Sequence, residues 1–215
     1  MNKFDVTVID YGAGNLLSVK RGFEHCGAKV NVTDDKNLIM SASRVVLPGV
    51  GAFSNAMDGL RNSGLDETVH EVVKEGIPLL GICLGMQMLL DESEEFGLSK
   101  GLGIIPGRVI SIPSLDIDNN NQKIPHIGWN SLIQPDGRKS WDGTLLSDIK
   151  PGDSVYFVHS FMSNTVVPEH RIANCLYGGL DIPAVIGKGR TVGCQFHPEK
   201  SGEIGLKILR QFLLL

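Results

Sequence analysis

The sequence predicts an α/β fold, with a mainly parallel central sheet flanked by helices and extra antiparallel strands in its second half. Short β-branched runs alternate with stretches of helical spacing, and such alternation produces right-handed crossovers between parallel strands. The 26 glycines in 215 residues exceed the usual share of about 7% and follow no period, which indicates many tight strand-to-helix turns. No linker interrupts the chain, so we expect a single domain over residues 1–215.

The first half of the chain supplies the alternating elements. Strands are predicted over residues 5–10, 29–32, 44–47 and 77–83, and helices over 16–26, 65–75 and 84–92. The segment 1–10 carries one Lys and two Asp around a short apolar run, so it is interpreted as a first strand and not as a secretory signal. Helical spacing places Leu16, Val19 and Phe23 on one face of the first helix, and Gly27 is its natural stop.

The second half of the chain, from Gly107 onward, has shorter β-like pieces, more proline and polar turns. Hairpins or antiparallel strands are expected there. A strand over 191–196 and an amphipathic helix over 202–215 close the chain. The segment 187–190 lacks the spacing of a phosphate loop and predicts a hairpin turn, while 12–14 lacks the third glycine of a dinucleotide fingerprint.

The bulk composition excludes several kinds of partner. A formal net charge of -4 gives no electrostatic reason to expect nucleic acid or an anionic membrane. No run approaches the roughly 18 apolar residues of a membrane span. The four cysteines lie far apart, with no CxxC pair and no histidine at metal-ligand spacing: Cys26, Cys83, Cys175 and Cys194. We therefore expect free thiols in a reducing cytoplasm, with no disulfide and no metal.

The most informative segment lies between two predicted elements and places Cys83 in the pattern G-x-C-x-G. This is the cysteine form of the nucleophile elbow, a sharp turn from a strand into a helix. Such a turn needs small neighbours, which Gly81 and Gly85 supply. The helix N-terminus favours the thiolate, and the N–H of Leu84 would point at a developing oxyanion. A lone Cys after an apolar strand is otherwise a core residue, which is the interpretation for the other three cysteines.

A thiol nucleophile needs a base, and the base needs a group that fixes its tautomer. His197 directly follows the predicted strand 191–196 and leads into Pro198 and Glu199. The rigid proline keeps the two side chains close, so Glu199 can accept the imidazole N–H. An H-P-E run alone would suggest a surface turn, but together with the elbow it predicts a Cys-His-Glu triad.

Two motifs, G-I-C-L-G-M-Q and Q-F-H-P-E-K-S, together resemble the class I glutamine amidotransferases. Four further segments resemble the glutaminase subunits of imidazole glycerol phosphate synthases: V-I-D-Y-G-A-G-N, L-P-G-V-G-A-F, K-I-P-H-I-G-W-N and Y-F-V-H-S-F. The resemblance runs over residues 8–201. It implies hydrolysis of L-glutamine to glutamate without a cofactor. It also implies a heterodimer with a (βα)8-barrel cyclase, which would use the ammonia to form imidazole glycerol phosphate and AICAR from PRFAR in histidine biosynthesis.

The resemblance also implies a role for each matching residue. Cys83 would attack the glutamine amide, His197 would pass a proton to the departing ammonia, and Glu199 would orient His197. The glycines of segment 48–51 would allow that backbone to reorient, so we expect it to switch the oxyanion hole and the isolated chain to be weakly active. The resemblance assigns Val50, Gly51 and Leu84 to the oxyanion hole, Gly49, Gln87, His159 and Ser160 to glutamine binding, and Trp129, Tyr156 and Lys200 to the partner interface.

Two alternatives stay open. A paralogous glutaminase would supply ammonia to a surface-polysaccharide sugar amidotransferase. Three departures from the pattern of the family it resembles leave room for it: Phe161 in place of the usual Tyr, Cys194 in place of a hydroxyl or small residue, and an unusually polar segment 118–122. None of the three departures changes a residue of the predicted triad, so they bear only on which synthase accepts the ammonia. The other alternative is a regulatory binding protein without turnover, against which the complete triad argues.

Overall fold

The computed structural model describes residues 4–215. Residues 1–3, on which the prediction against a secretory signal partly rests, lie outside that part. In chain order the strands are β1 (Val6–Ile9), β2 (Val30–Thr33), β3 (Val45–Gly49), β4 (Leu79–Cys83), β5 (Glu92–Ser93), β6 (Ser99–Lys100), β7 (Gly107–Ser111), β8 (His126–Ser131), β9 (Ser154–His159), β10 (Phe161–Thr165), β11 (Arg171–Tyr177), β12 (Leu180–Lys188) and β13 (Thr191–Cys194). The helices are α1 (Leu16–His25), α2 (Lys36–Met40), α3 (Phe53–Asn62), α4 (Leu65–Lys74), α5 (Leu84–Met88) and α6 (Gly202–Leu214), with single 3-10 turns at Pro168–His170 and Pro198–Lys200.

A seven-stranded sheet forms the centre of the fold, in the spatial order β11-β12-β13-β4-β3-β1-β2. The five strands from β13 to β2 are parallel, and β12 and β11 extend the sheet as antiparallel strands at one edge. The predicted mainly parallel sheet is therefore confirmed. Because parallel strands all run in one direction, the carboxyl ends of β3, β4 and β13 meet at the same edge, where α/β proteins place their sites.

Helices cover both faces of the central sheet. Val6 and Val8 of β1 belong to one apolar layer and Ile9 to the other, as the two-residue repeat of a strand requires. On the first face lie α1 and α6, whose Phe23 and Phe212 rings are 6.0 Å apart. On the second face lie α3, α4 and α5. Burial on both faces makes such strands nearly continuous apolar runs, which is why the sequence alone predicts them.

Helix α1 confirms the helix predicted over residues 16–26. The Asn15 side chain caps its first turn by accepting a hydrogen bond from the Ser18 N–H at 3.4 Å. Its other end is followed by Gly27 with a φ of +86°, a conformation that glycine adopts without a steric penalty.

The second half of the chain contains the antiparallel pairs predicted for it. Strands β8 and β9 form a separate two-stranded ribbon, and β10 pairs with β7 in a four-stranded sheet of order β10-β7-β5-β6. Residues 189–190 connect the antiparallel strands β12 and β13, so the predicted hairpin turn is confirmed. Within residues 4–215, no helix has the length and apolar character needed to cross a bilayer.

The helix predicted over residues 84–92 is wrong beyond Met88. After α5 the backbone bonds to a distant loop instead of continuing the helix: the Leu102 N–H donates to Met88 O and the Ile104 N–H to Leu89 O, each at 2.9 Å. The chain then enters β5, which pairs with β6 and β7. Long-range hydrogen bonds thus override a local helical pattern, which is a weak constraint by comparison. Helices α2 and α3 were not among the predicted elements.

Candidate active site

Cys83 lies on a strained turn at the carboxyl end of a central strand. It ends β4 and directly precedes α5, with φ 54° and ψ -112°, in a region that side-chain-bearing residues rarely adopt. Backbone atoms lie so close to Gly81 and Gly85 that neither position has space for a side chain. A Cβ on Gly85 would lie 1.9 Å from Leu47 O, and one on Gly81 would lie 2.7 Å from Gly85 O. The turn therefore has the geometry expected of a nucleophile elbow.

His197 and Glu199 form a buried pair just beyond β13. His197 Nδ1 lies 2.8 Å from Glu199 Oε1, and their side chains are only 5% and 1% exposed. Ser201 fixes the turn that carries them, because its Oγ donates to His197 O at 2.7 Å and accepts from the Tyr156 N–H at 2.9 Å. Since the Glu199 carboxylate only accepts hydrogen bonds, Nδ1 carries the shared proton, which leaves Nε2 of His197 for other chemistry.

The surroundings of His197 hold a proton on its imidazole. Burial by itself lowers the pKa of this histidine, but the proximity of Cys83 and the hydrogen bond to Glu199, with the charge of both groups, outweigh that effect and raise the pKa to about 10. Cys83 and His197 also line the same cavity. The arrangement thus places a protonated imidazole beside a sulfur nucleophile, as cysteine-dependent acyl transfer requires.

The shift at His197 predicts a dependence of stability on pH. The folded pKa of about 10 lies above the ordinary value of 6.5, so the stabilisation from this group is fully present below pH 6.5 and is lost as the pH rises through 10. We expect the Tm advantage of the wild-type chain over His197→Gln to be largest near pH 6 and to shrink steadily toward pH 10. Thermal unfolding across that window measures it, with His70→Gln as an exposed-histidine control. A Tm difference between the wild type and His197→Gln that does not change with pH would contradict an ion pair between His197 and Glu199.

A cavity of about 400 Å³ opens over Cys83 and His197. Other lining residues are the predicted site residues Val50, Gly51, Leu84, Gln87, His159 and Ser160, together with Glu95, Phe96, Pro125, Val158 and Phe161. The Gln87 carboxamide is held by its nitrogen, which donates to Phe161 O at 3.0 Å and to Gln195 Oε1 at 2.9 Å. Both amide hydrogens are thereby used, so the Gln87 oxygen stays available to a ligand.

The end of β3 and the residues that follow it lie beside the elbow. In the sheet register Gly49 is the partner of Cys83, and the Tyr11 hydroxyl donates to Pro48 O at 2.8 Å. Burial, and then the charge of Cys83, raises the pKa of Tyr11, so its hydroxyl keeps the proton for that bond. Gly51 has a φ of +95°, and apart from its chain neighbours no residue within 4–215 comes within 4 Å of its Cβ position, which gives this backbone room to move.

Five of the predicted site residues lie outside the cavity lining: Glu199, which contacts His197, and Gly49, Trp129, Tyr156 and Lys200. Gly49 is buried, and a Cβ there would lie 2.7 Å from Gly85 N, so its small size serves the contact with α5. Trp129, which is 59% exposed, pairs with Tyr156 across β8 and β9 with ring centroids 6.1 Å apart. Lys200 is exposed, one residue after Glu199. The last three residues therefore lie on the surface near the His-Glu turn.

Glu95 and Phe96 of the cavity lining, and Gln195 beside Cys83, were not predicted as site residues. Glu95 accepts a hydrogen bond from the Phe53 N–H at 2.7 Å, and Phe96, at φ 51°, lies against Phe161 with ring centroids 6.5 Å apart. Gln195 also places its amide nitrogen 3.8 Å from Cys83 Sγ. The position of Gln195 two residues before His197 was the one available signal. Glu95 and Phe96 come from a loop with no motif of its own. Among residues 4–215 no group of His, Cys, Asp and Glu side chains could hold a metal ion.

A cysteine on a strained strand-to-helix turn, a buried His-Glu pair on the neighbouring strand and a cavity above them define a cysteine hydrolase of α/β fold. The chain belongs to the class I glutamine amidotransferase family, because the family model for glutamine amidotransferase class-I matches residues 7–215. The predicted family is therefore confirmed.

Comparison with known proteins gives relatives and structural neighbours. The chain is 51% identical over 208 residues to "Imidazole glycerol phosphate synthase subunit HisH 1" of Legionella pneumophila (strain Lens), which covers 97% of this chain and 98% of that protein. It is 47% identical over 207 residues to the HisH subunit of Geobacillus sp. (strain WCH70), with 96% and 95% covered. A crystal structure of a glutamine amidotransferase superposes with a TM-score of 0.72 at 17% identity, covering 98% of this chain and 99% of its own. That likeness supports the fold.

Proposed function

We infer that this chain is the glutaminase subunit of an imidazole glycerol phosphate synthase, which hydrolyses L-glutamine and supplies ammonia to histidine biosynthesis. The observation that carries this inference is the 51% identity, over nearly the whole of both chains, to a relative named as a subunit of that synthase. Membership of the class I glutamine amidotransferase family supplies the reaction class. A subunit works with another chain, so a synthase partner receives the ammonia.

The reaction assigned to the site begins at Cys83. Its Sγ attacks the side-chain carbonyl carbon of glutamine, which forms a C–S bond and places negative charge on the oxygen. The N–H of Leu84 and the backbone of residues 50–51 stabilise that charge. His197 gives its proton to the amide nitrogen, the C–N bond breaks and ammonia leaves. His197 then takes a proton from water, which attacks the thioester, breaks the C–S bond and releases glutamate. The 2.8 Å contact to Glu199 supports these roles, because it directs the remaining nitrogen of His197 toward the sulfur.

The partner in this proposal is a (βα)8-barrel cyclase bound as a heterodimer. On this chain, the surface that contacts the cyclase includes Trp129, Tyr156 and Lys200. The exposed Ile127 shares the face of β8 that carries Trp129. Exposed aromatic residues of this kind are typical of interface hot spots. A direct link to the catalytic turn supports the location, because the His197 N–H donates to Tyr156 O at 3.0 Å. Binding at Tyr156 would therefore act on the strand end that carries the base.

Glutamate release from glutamine tests the function. It is measured for the chain alone, and then with the barrel cyclase of the same organism and its nucleotide substrate. We expect strong stimulation by the partner. Trp129→Ala should raise the cyclase concentration needed for half-maximal stimulation about 30-fold, the effect of losing an interface hot spot. Leu214→Ala, which removes an exposed apolar side chain at the end of α6, is the matched control. A chain that is as fast alone as with the cyclase would refute the partner-dependent glutaminase.

A further inference from the structure

Two buried histidines beside the cavity have side chains that take no part in the proposed reaction. His126, at the start of β8, is 3% exposed, and His159, at the end of β9, is 6% exposed. They are sheet partners across the ribbon, with His126 Nδ1 only 3.1 Å from His159 Nε2. Burying two polar side chains costs free energy unless each donor has an acceptor. The hydrogen bonds of the pair therefore specify one arrangement of protons on the two rings.

The contacts of the pair fix the direction of each hydrogen bond. His159 Nδ1 lies 2.8 Å from Phe161 O, and a carbonyl oxygen only accepts, so Nδ1 carries the hydrogen. Burial lowers the pKa of both histidines to about 4, so both rings are neutral near pH 7 and His159 Nε2 is an acceptor. His126 Nδ1 must therefore donate to it. The Nε2 of His126 then accepts from Asn130 Nδ2 at 3.4 Å. The result is a directed relay from Asn130 through His126 and His159 to Phe161 O.

Packing holds the His126 ring in place for this relay. It is stacked between Phe157, with ring centroids 4.8 Å apart, and Tyr177, at 4.1 Å. The Tyr177 hydroxyl donates in turn to Lys123 O, which links the stacked Tyr177 ring to the segment before β8. Two parallel aromatic faces leave the ring little freedom to rotate, so its Nδ1 is preorganised toward His159.

The relay ends on an atom that also orients the glutamine site. Phe161 O accepts from His159 Nδ1 and from Gln87 Nε2, the latter at 3.0 Å. Gln87 is held at the same time by Gln195, whose amide nitrogen lies 3.8 Å from Cys83 Sγ. A shift of this one carbonyl would remove one of the two anchors of the Gln87 carboxamide, whose oxygen is the group left for a ligand.

We propose that His126 is a positioning residue of the glutamine site: it fixes the tautomer of His159, which holds the Phe161 carbonyl that orients Gln87. The proposal rests on the proposed glutaminase function. His126 touches neither the substrate nor the reacting atoms. Its loss should therefore weaken glutamine binding while the nucleophile and base keep their chemistry.

Two substitutions at His126 separate the hydrogen bond from the packing. His126→Phe keeps the ring between its aromatic neighbours but removes the donor. His126→Asn keeps a donor nitrogen close to the position of Nδ1 but removes the stack. In the complex with the cyclase, we expect His126→Phe to raise the KM for glutamine about tenfold with kcat nearly unchanged, the signature of lost ground-state binding through one buried hydrogen bond. His126→Asn should keep KM within about threefold of the wild type although its Tm falls.

Alkylation of Cys83 by iodoacetamide gives a readout that does not depend on glutamine, and it should proceed at the wild-type rate in His126→Phe. An unchanged KM in His126→Phe, or an equal rise in KM for both variants, would overturn the proposal. If His126→Phe does not fold, nitrogen NMR of the wild-type chain decides: the relay requires His159 with its proton on Nδ1, and a proton on Nε2 refutes it. The spectrum also separates the glutaminase function from the positioning role of His126. A wild-type complex that does not hydrolyse glutamine would refute the function, whereas the tautomer of His159 tests the relay independently.

Discussion

Replacing Cys83 with alanine should lower the rate of glutamine hydrolysis by the partner-bound chain by on the order of 10⁴-fold or more, because removal of a covalent nucleophile leaves only binding and charge stabilisation. In the proposed reaction the sulfur makes and breaks the bond to the substrate carbon, and none of the other three cysteines, all within residues 4–215, lines the cavity. Glutamate release by the complex with its cyclase measures the effect.

The control for this substitution is Cys26→Ala. Cys26 lies at the end of α1, partly buried, where its Sγ makes one weak contact to Leu206 O at 3.6 Å. Its removal should change the rate by no more than about twofold, as for substitutions away from a special feature. Residual turnover in Cys83→Ala close to that of Cys26→Ala would show that hydrolysis does not pass through Cys83.

Replacing Gly85 with alanine should destabilise the chain by about 3 kcal/mol or more, although helix propensity alone predicts a gain of about 1 kcal/mol for this change inside a helix. The reason is the space around Gly85, where the new Cβ would lie 1.9 Å from Leu47 O and 2.9 Å from Leu47 C. Both atoms are backbone of β3, at the centre of the sheet, so neither can move aside as a flexible side chain would. Urea unfolding gives the difference in free energy.

Gly59→Ala is the matched substitution for this measurement. Gly59 also lies inside a helix, α3, but its Cβ would meet Tyr11 O at 3.2 Å, a contact that a shift of a few tenths of an ångström relieves. Here propensity and crowding nearly cancel, and the change in stability should stay within about 1 kcal/mol of zero. If both variants unfold at the same urea concentration, the close approach of α5 to β3 is not what requires glycine at position 85.

Much of the candidate site could be predicted because its signals are local. The glycines two residues on either side of Cys83 mark a turn whose sterics involve only the strand and helix that they join. His197 and Glu199 are two residues apart, so a single proline-containing turn brings their side chains to 2.8 Å. Local geometry of this kind leaves a mark in the sequence that does not depend on how the rest of the chain folds.

The contacts of Gln87 could not be predicted in this way. Its partners, Phe161 and Gln195, are 74 and 108 residues away in sequence, and each reaches it from a different strand end. From the sequence, Phe161 was noted as the last residue of Y-F-V-H-S-F and as a departure from the family pattern, and no contact with Gln87 was predicted for it. Glu95 and Phe96 line the cavity because α5 stops early and the chain turns into β5, which long-range backbone hydrogen bonds decide.

By itself the sequence determined the α/β class, the mainly parallel sheet, the elbow at Cys83 and the His-Glu pair, since apolar alternation and short-range sterics act within a few residues. Tertiary structure alone decided which strands are neighbours. The pairing of β4 with β3 on one side and β13 on the other brings Gly49 and the residues after it, and also His197, to the same cysteine. It also decided that His126 faces His159 across β8 and β9. Strand order and register are set by burial of both sheet faces over the whole chain, and no single segment carries that information.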